Sequence, residues 1–367
     1  MDLLDRTDIC ICPWTDYTLG SSYIGTCCWS CECFAIQFPD TYKGGPWDGD
    51  MMLSDDMFVQ QRKLMLEQGS SACTPNCPFK NKLPTVRQQF QRLYHLDAKS
   101  IAASEAIVAD IRSGVFRPTK PLNLTVVPSL VCNQNCSFCI IDNESNQRPG
   151  IRLAPTAEQI ANVAPLYEDC VYFTSCGGDT FGLKEDVIDM FYAPLKGRLI
   201  SSCVTTNARG LTLAKYEKYF VRDQVMNSAT VSLTTLNQDT YRLVYNGQDL
   251  DTILRNVQDI TGKYKDHKLI TLASVVLTLN IPEIPELVLF AHRCGFKSVM
   301  FIPLNPMHLA KRGFEFLDPR GQGFSLDLYR KFHEAKARLA SLKRSHPIGI
   351  YGLDHVTHLM ETRLEAY

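Results

Sequence analysis

From Leu122 to Pro306 the chain alternates short β-branched runs with helical runs, and this alternation restricts the fold more than any other feature. Strands are predicted over 122–128, 170–174, 199–206, 229–234, 269–279 and 297–303. Helices near 158–167, 184–195, 212–220, 250–263 and 285–294 separate them. A helix between two strands carries the chain back to the end from which it started, so successive strands run parallel. Six such βα units predict an α/β fold, a partial (β/α)6 TIM-like barrel over 122–306. In that architecture the functional groups sit on the loops that follow the strands.

The flanks read differently. Residues 1–84 are rich in Cys, Gly, Asp and aromatics, with one helical stretch at 54–67, and form a small Cys-rich α+β module. Such a segment buries little apolar surface by itself, so a metal is its expected staple. In 85–114, Phe90, Leu93 and Tyr94, then Ile107 and Ile111, recur at one-face helical spacing. Pro118 and Pro121 break that pattern, which makes 85–121 a helical connector. A C-terminal extension, 307–367, carries a basic helix over 326–343.

Charge excludes some partners. Thirty-eight basic and 39 acidic residues are mixed along the chain to a net charge of -1, so no nucleic acid is expected. The longest apolar run, 269–279, is interrupted by Thr and Ser and is too short to span a bilayer, so no membrane is expected either. The opening MDLLDRTDIC lacks a basic region followed by an apolar run. A cytoplasmic setting, with the 15 Cys reduced, is therefore expected, and metal binding is their natural use.

Three Cys stand together in VCNQNCSFCI: Cys132, Cys136 and Cys139. A structural zinc site takes four protein ligands and closes its shell. Three thiols on one short loop suit a cubane iron–sulfur cluster whose fourth iron stays open. This CxxxCxxC run, with an aromatic, Phe138, before the last Cys, resembles the cluster loop of the radical S-adenosylmethionine (SAM) enzymes. The resemblance covers most of 122–306.

The resemblance implies a SAM-binding [4Fe–4S] cluster on Cys132, Cys136 and Cys139. It implies a SAM amine site at Gly177, Gly178 and Asp179, where the family has Gly-Gly-Glu. Thr206 and Asn207 match the family's Thr-Asn-Gly and imply a contact to the methionine carboxylate or the ribose, as does Ser232. Arg242 matches a helix Arg for the SAM carboxylate; its other reading is a solvated helix charge. Val276 falls in an apolar bed for adenine. Cys176 and Cys203, near strand ends, are candidate hydrogen-atom donors to a substrate radical.

The N-terminal Cys pattern resembles the SPASM/twitch auxiliary-cluster module, here preceding the core instead of following it. On that resemblance Cys10, Cys27, Cys73 and Cys77 hold an auxiliary [4Fe–4S] cluster. Cys12 and Cys28 rival the first two positions, Cys31 and Cys33 leave room for another choice, and a zinc knuckle is the alternative use of the same thiols.

The activity implied is reductive cleavage of SAM to a 5′-deoxyadenosyl radical, which takes hydrogen from a substrate carbon. A flavodoxin- or ferredoxin-like reductant would supply the electron. The expected substrate is a ribosomally synthesised precursor peptide in natural-product biosynthesis. A small-molecule substrate, by dehydrogenation or epimerisation of a carbohydrate or aminocyclitol, is the alternative. A non-catalytic iron–sulfur or zinc-binding interaction protein is a third reading.

Overall fold

The computed structural model describes residues 2–19, 23–25, 35–37, 56–72, 83–93, 98–116, 122–128, 132–139, 157–168, 170–198, 200–246, 248–304, 309 and 313–365. They fall into two compact units. One comprises Met1–Ser129, Pro149–Gly177 and Asp186–Ser202; the other comprises Leu130–Arg148, Gly178–Glu185 and Cys203–Tyr367.

The first unit holds strands β1 (Asp16–Leu19), β2 (Tyr23–Gly25), β3 (Ala35–Gln37), β4 (Asn123–Val126) and β5 (Tyr172–Ser175). β4 and β5 are parallel, with Asn123 beside Tyr172, as the βα reading requires. β1 joins the other side of β4, also parallel, with Asp16 beside Asn123. Asn123 donates to the Asp16 carboxylate at 2.5 Å across that pair. Segments 1–84 and 122–306, read from sequence as successive domains, thus share one sheet.

The N-terminal stretch is also better packed than its composition suggests. Ile9, Ile11 and Trp14 are almost fully buried, in a core shared with Met65, Val86, Phe90, Ile107 and Ile111. Those partners come from the helices Asp56–Gln68, Val86–Leu93 and Ala98–Ser113. Gln89 serves this core as a substitute strand: its side chain accepts from Ile11 N at 3.1 Å and donates to Ile9 O at 2.6 Å. Buried Arg62 donates to Pro13 O at 2.8 Å. Within the connector, Val86–Leu93 and Ala98–Ser113 are helical.

In the second unit, β6 (Ser201–Thr206, from Cys203 onward), β7 (Ser228–Ser232), β8 (Leu269–Val276), β9 (Ser298–Pro303) and β10 (Gly349–Tyr351) lie side by side, each parallel to the next. The α/β class and the parallel succession of a partial (β/α) barrel are therefore present. β10 extends the row beyond the six strands expected.

Element ends differ from the sequence reading for local reasons. β8 stops at Val276 rather than residue 279 because buried Asn280 caps it. The Asn280 side chain accepts from Leu277 N at 2.8 Å and donates to Thr234 O at 2.6 Å and Val275 O at 2.8 Å. The helix expected over 158–167 breaks into Ala157–Asn162 and a 3-10 turn, Ala164–Tyr167, at Pro165. That over 212–220 becomes Leu213–Tyr216 followed by a π-helical turn, Glu217–Arg222. The basic helix is Leu326–Ser345, with the Ser325 side chain accepting from Leu328 N at its start. Among the described residues no helix is long and apolar enough to cross a membrane.

Candidate metal centre

The Cys triplet follows β4 in the chain and belongs to the second unit, where two neighbouring segments hold it. One is the end of β6 and the turn after it, residues 206–210. The other is the helix Gln238–Val244 with the residues that leave it.

Asn133, next to Cys132, is the hub on the first side. Its Nδ2 donates to Asp179 Oδ2 at 2.9 Å, and its Oδ1 accepts from Asn207 Nδ2 at 2.7 Å. The other Asp179 oxygen accepts from Thr206 Oγ1 at 2.6 Å. Asn207 Nδ2 also donates to Cys132 Sγ at 3.6 Å, and Asn207 Oδ1 accepts from Arg209 N at 2.9 Å. Asp179 is buried to 1% exposure, and burial raises its pKa against the opposing pull of Thr206, Asn133 and Lys215.

The turn after β6 is tightly drawn. Ala208 takes φ 60, in the left-handed region that favours Gly. Thr206 Oγ1 accepts from Ala208 N at 3.0 Å, and Asn256 Nδ2 donates to Ala208 O and Arg209 O at 2.9 and 3.0 Å. A Cβ on Gly210 would lie 2.5 Å from Phe181 O, so only Gly fits there.

On the second side, Val244 O accepts from Ser137 N at 2.9 Å, and Gln248 Nε2 donates to Asn133 O at 2.9 Å. Gln134 Nε2 donates to the Tyr241 hydroxyl. Phe138 meets the edge of Tyr245 at 5.8 Å, and Tyr245 stacks on Tyr241 at 4.2 Å. The loop is clasped by amides on one face and by aromatics on the other.

The three thiols are half-buried. Burial pushes Cys132 up to about 11; Asp179 and Cys139 add to this, while Gln134 N and the Asn207 amide oppose it. Among the described residues no three His, Cys, Asp or Glu groups are gathered as metal ligands would be.

The remaining candidate residues are placed as follows. Gly177 has φ 116, a backbone conformation open to Gly. Asp179, Thr206 and Asn207 are brought to the Cys loop, but their side chains are engaged with it and with each other. Ser232 ends β7 beside Ala273, half-buried. Arg242 is exposed and stands 3.7 Å from Asp239, the geometry of a solvated helix pair. Val276 is fully buried in the core. Cys203 is beside Ser228, the first residue of β7, three residues or roughly 10 Å short of the end of β6. Cys176 N donates to Val126 O at 3.0 Å in the first unit. Of the N-terminal thiols, Cys10 packs half-buried against the first unit's core, its backbone N 3.4 Å from Met65 Sδ. Cys27, Cys73 and Cys77 lie outside the described residues, as do Cys28, Cys31 and Cys33.

Asn133, Gln134, Tyr241, Tyr245 and Gln248 were not singled out in sequence. The one available signal was the run of three amides inside the Cys triplet, Asn133, Gln134 and Asn135, none of them a thiol or an apolar core residue.

Residues 126–291 match the Radical SAM superfamily. The chain carries a radical SAM domain. Probable GTP 3′,8-cyclases of Sulfurisphaera tokodaii and Archaeoglobus fulgidus are 24% identical to it over 197 residues and 28% over 138. Those matches cover 53% and 37% of this chain and 59% and 43% of the two proteins, less than two thirds of either relative. Around the radical SAM domain the fold likeness reaches further. Streptococcus suis SuiB, solved with its precursor peptide SuiA, aligns with 91% of this chain and 70% of its own at a TM-score of 0.51 and 15% identity. SuiB bound to S-adenosylmethionine gives the same TM-score at 14% identity, over 92% of this chain and 71% of its own.

Proposed function

We propose that this protein is a radical SAM enzyme that abstracts hydrogen from a ribosomally synthesised peptide. The observation that carries the reading is the CxxxCxxC loop of the radical SAM domain, clasped by Asn207, Asp179 and the Tyr241–Gln248 segment. Its donor types suit a [4Fe–4S] cluster, three thiols on one short loop with no fourth on it, and their side chains have still to draw together to hold the group. Ser137 adds a buried hydroxyl with no hydrogen-bond partner among the described residues, a donor that a cluster sulfide can use.

When bound, the cluster and S-adenosylmethionine supply one-electron cleavage of the sulfonium and a carbon radical able to take hydrogen from an unactivated C–H bond. The protein holds and shields that chemistry. Cys132, Cys136 and Cys139 would hold the cluster as thiolates, giving up their protons to do so. Phe138, Tyr245 and Tyr241 exclude water from one side of the loop. Gly177 and Gly178 offer backbone to the methionine amine, and Ser232 offers a hydroxyl to the ribose or carboxylate. Asp179, Thr206 and Asn207 act as positioning residues. Cys10, Cys27, Cys73 and Cys77 remain the proposed ligands of an auxiliary cluster, and a flavodoxin- or ferredoxin-like protein the proposed reductant.

The peptide reading draws on SuiB, a precursor-peptide binder whose fold likeness extends across both units. The likeness to GTP 3′,8-cyclases, limited to 53% of the chain, favours a small-molecule substrate as the second reading. Anaerobic reconstitution with iron and sulfide counting tests the core of both. Wild type is expected to hold about eight irons and Cys132/Cys136/Cys139→Ala about four. With dithionite, only wild type should form 5′-deoxyadenosine. Zinc in place of iron, or loaded clusters without nucleoside, would overturn the enzyme reading. Deuterium transfer from labelled precursor peptides, set against labelled sugars and GTP, then decides the substrate class.

A further inference from the structure

Asp179, Asn133, Asn207 and Cys132 form a chain of hydrogen bonds with a fixed direction. A carboxylate only accepts, so Asn133 must turn its NH2 to Asp179, at 2.9 Å. Asn133 Oδ1 then faces Asn207, which must answer with its own NH2, at 2.7 Å. A primary amide has two N–H groups, and the second reaches Cys132 Sγ at 3.6 Å. Neither end can turn over. Thr206 Oγ1 occupies the second Asp179 oxygen at 2.6 Å, and Arg209 N occupies Asn207 Oδ1 at 2.9 Å. Asp179 and Asn207 are 1% and 6% exposed, so water does not compete for these groups.

We infer that Asp179, acting through Asn133 and Asn207, aims an N–H at the sulfur of Cys132 and thereby raises the reduction potential of the cluster that Cys132 holds. The inference rests on the radical SAM reading above. A donor to a ligating sulfur stabilises the added negative charge of the reduced cluster, and its loss makes reduction harder. Asp179 and Asn207 are on this account positioning and tuning residues, whereas the sequence resemblance gave both to SAM.

The test is an EPR-monitored redox titration of reconstituted protein, with the Cys132/Cys136/Cys139→Ala spectrum subtracted to remove any auxiliary cluster. Asn207→Leu keeps the shape and removes the donor; Asn207→Asp keeps the shape and puts a negative acceptor against the sulfur. The midpoint is expected to become more negative from wild type to Asn207→Leu to Asn207→Asp, and Asp179→Asn is expected to move it in the same direction. Loaded variants that titrate at the wild-type midpoint would overturn the inference. If a variant fails to load, the melting of its iron-free chain decides. An unchanged melting temperature supports a role at the cluster, and a collapsed one reduces the residue to fold maintenance and counts against it. Wild type that binds no iron defeats the functional reading itself, an outcome distinct from loaded variants with unmoved potentials.

Discussion

Cys10 and Cys132 are both half-buried thiols in Cys-rich stretches, yet their surroundings share nothing. Cys10 lies between Ile9 and Ile11 against a core of Trp14, Met65, Phe90 and Ile107, where the governing quantity is apolar area removed from water. Cys132 lies among Asn133, Gln134 and Asn207, with a buried carboxylate one residue further out, where the governing quantity is the direction of each hydrogen bond. Apolar packing tolerates a change of shape that keeps volume; a chain of amides does not tolerate a change of donor. Cys content alone does not separate the two regions, whereas the residue types beside each Cys do.

The largest blow to that contrast comes from Trp14→Ala. Removing the most voluminous side chain of the N-terminal core should cost about 3–5 kcal/mol in denaturant unfolding. Iron loaded on the triplet, as proposed above, should survive wherever the protein remains folded; its loss would erase the distinction between the regions.

Gly210→Ala strikes the other side. Its new methyl would meet Phe181 O at 2.5 Å and Gly182 N at 2.8 Å, backbone that must move. A cost of about 1–3 kcal/mol is expected, together with faster loss of iron under chelator than Trp14→Ala produces. Equal rates of loss would show that the turn after β6 does not support the loop.

A smaller effect follows pH. Burial holds the His267 pKa below its ordinary value, and its Nε2 lies 2.7 Å from Cys294 O. The unfolded chain takes up a proton below about pH 6.5 that the folded chain resists. Stability is then fully present above that pH and is lost as pH falls below it, by up to about 1.4 kcal/mol per unit. His267→Gln should flatten the slope of unfolding free energy between pH 6.5 and 5.5. An unchanged slope would assign the acid sensitivity elsewhere.

Ala208→Gly sharpens the picture most gently. Alanine at φ 60 costs about 1–2 kcal/mol, and Gly returns it less its own backbone entropy of about 0.5–1 kcal/mol. A net gain near 0.5 kcal/mol should appear as a small rise in melting temperature; a fall would mean that the methyl packs better than the turn is strained.

The strands of the core were legible in sequence because β-branched runs and helical periodicity are local signals. So was the Cys triplet as a pattern, three thiols within eight residues. The clasp around it was not. Asn133 meets Asp179 46 residues away and Asn207 74 residues away, and nothing near Asn133 announces either partner. β1 was hidden for the same reason: the alternation of Asp16, Tyr17, Thr18 and Leu19 is too short to mark a strand by itself and becomes one beside β4, more than a hundred residues on. Arg242 carries the charge suited to a carboxylate, but its exposed helix face gives it Asp239 instead. Asp179, Thr206 and Asn207 were picked out by motif and are gathered at the loop; only the tertiary hydrogen bonds reveal what each side chain is occupied with.

Because β1 lies along one side of β4 and β5 along the other, the strand that leads into the Cys loop is an interior strand of its sheet. Edge strands fray by breaking one row of bonds, whereas an interior strand must break two. Amide hydrogens of Leu124 and Val126 should therefore exchange only when the whole sheet opens, while those of β10 exchange in local excursions. Breathing at the margins of the sheet therefore leaves the backbone of β4 in place for as long as β1 and β5 both stay paired with it.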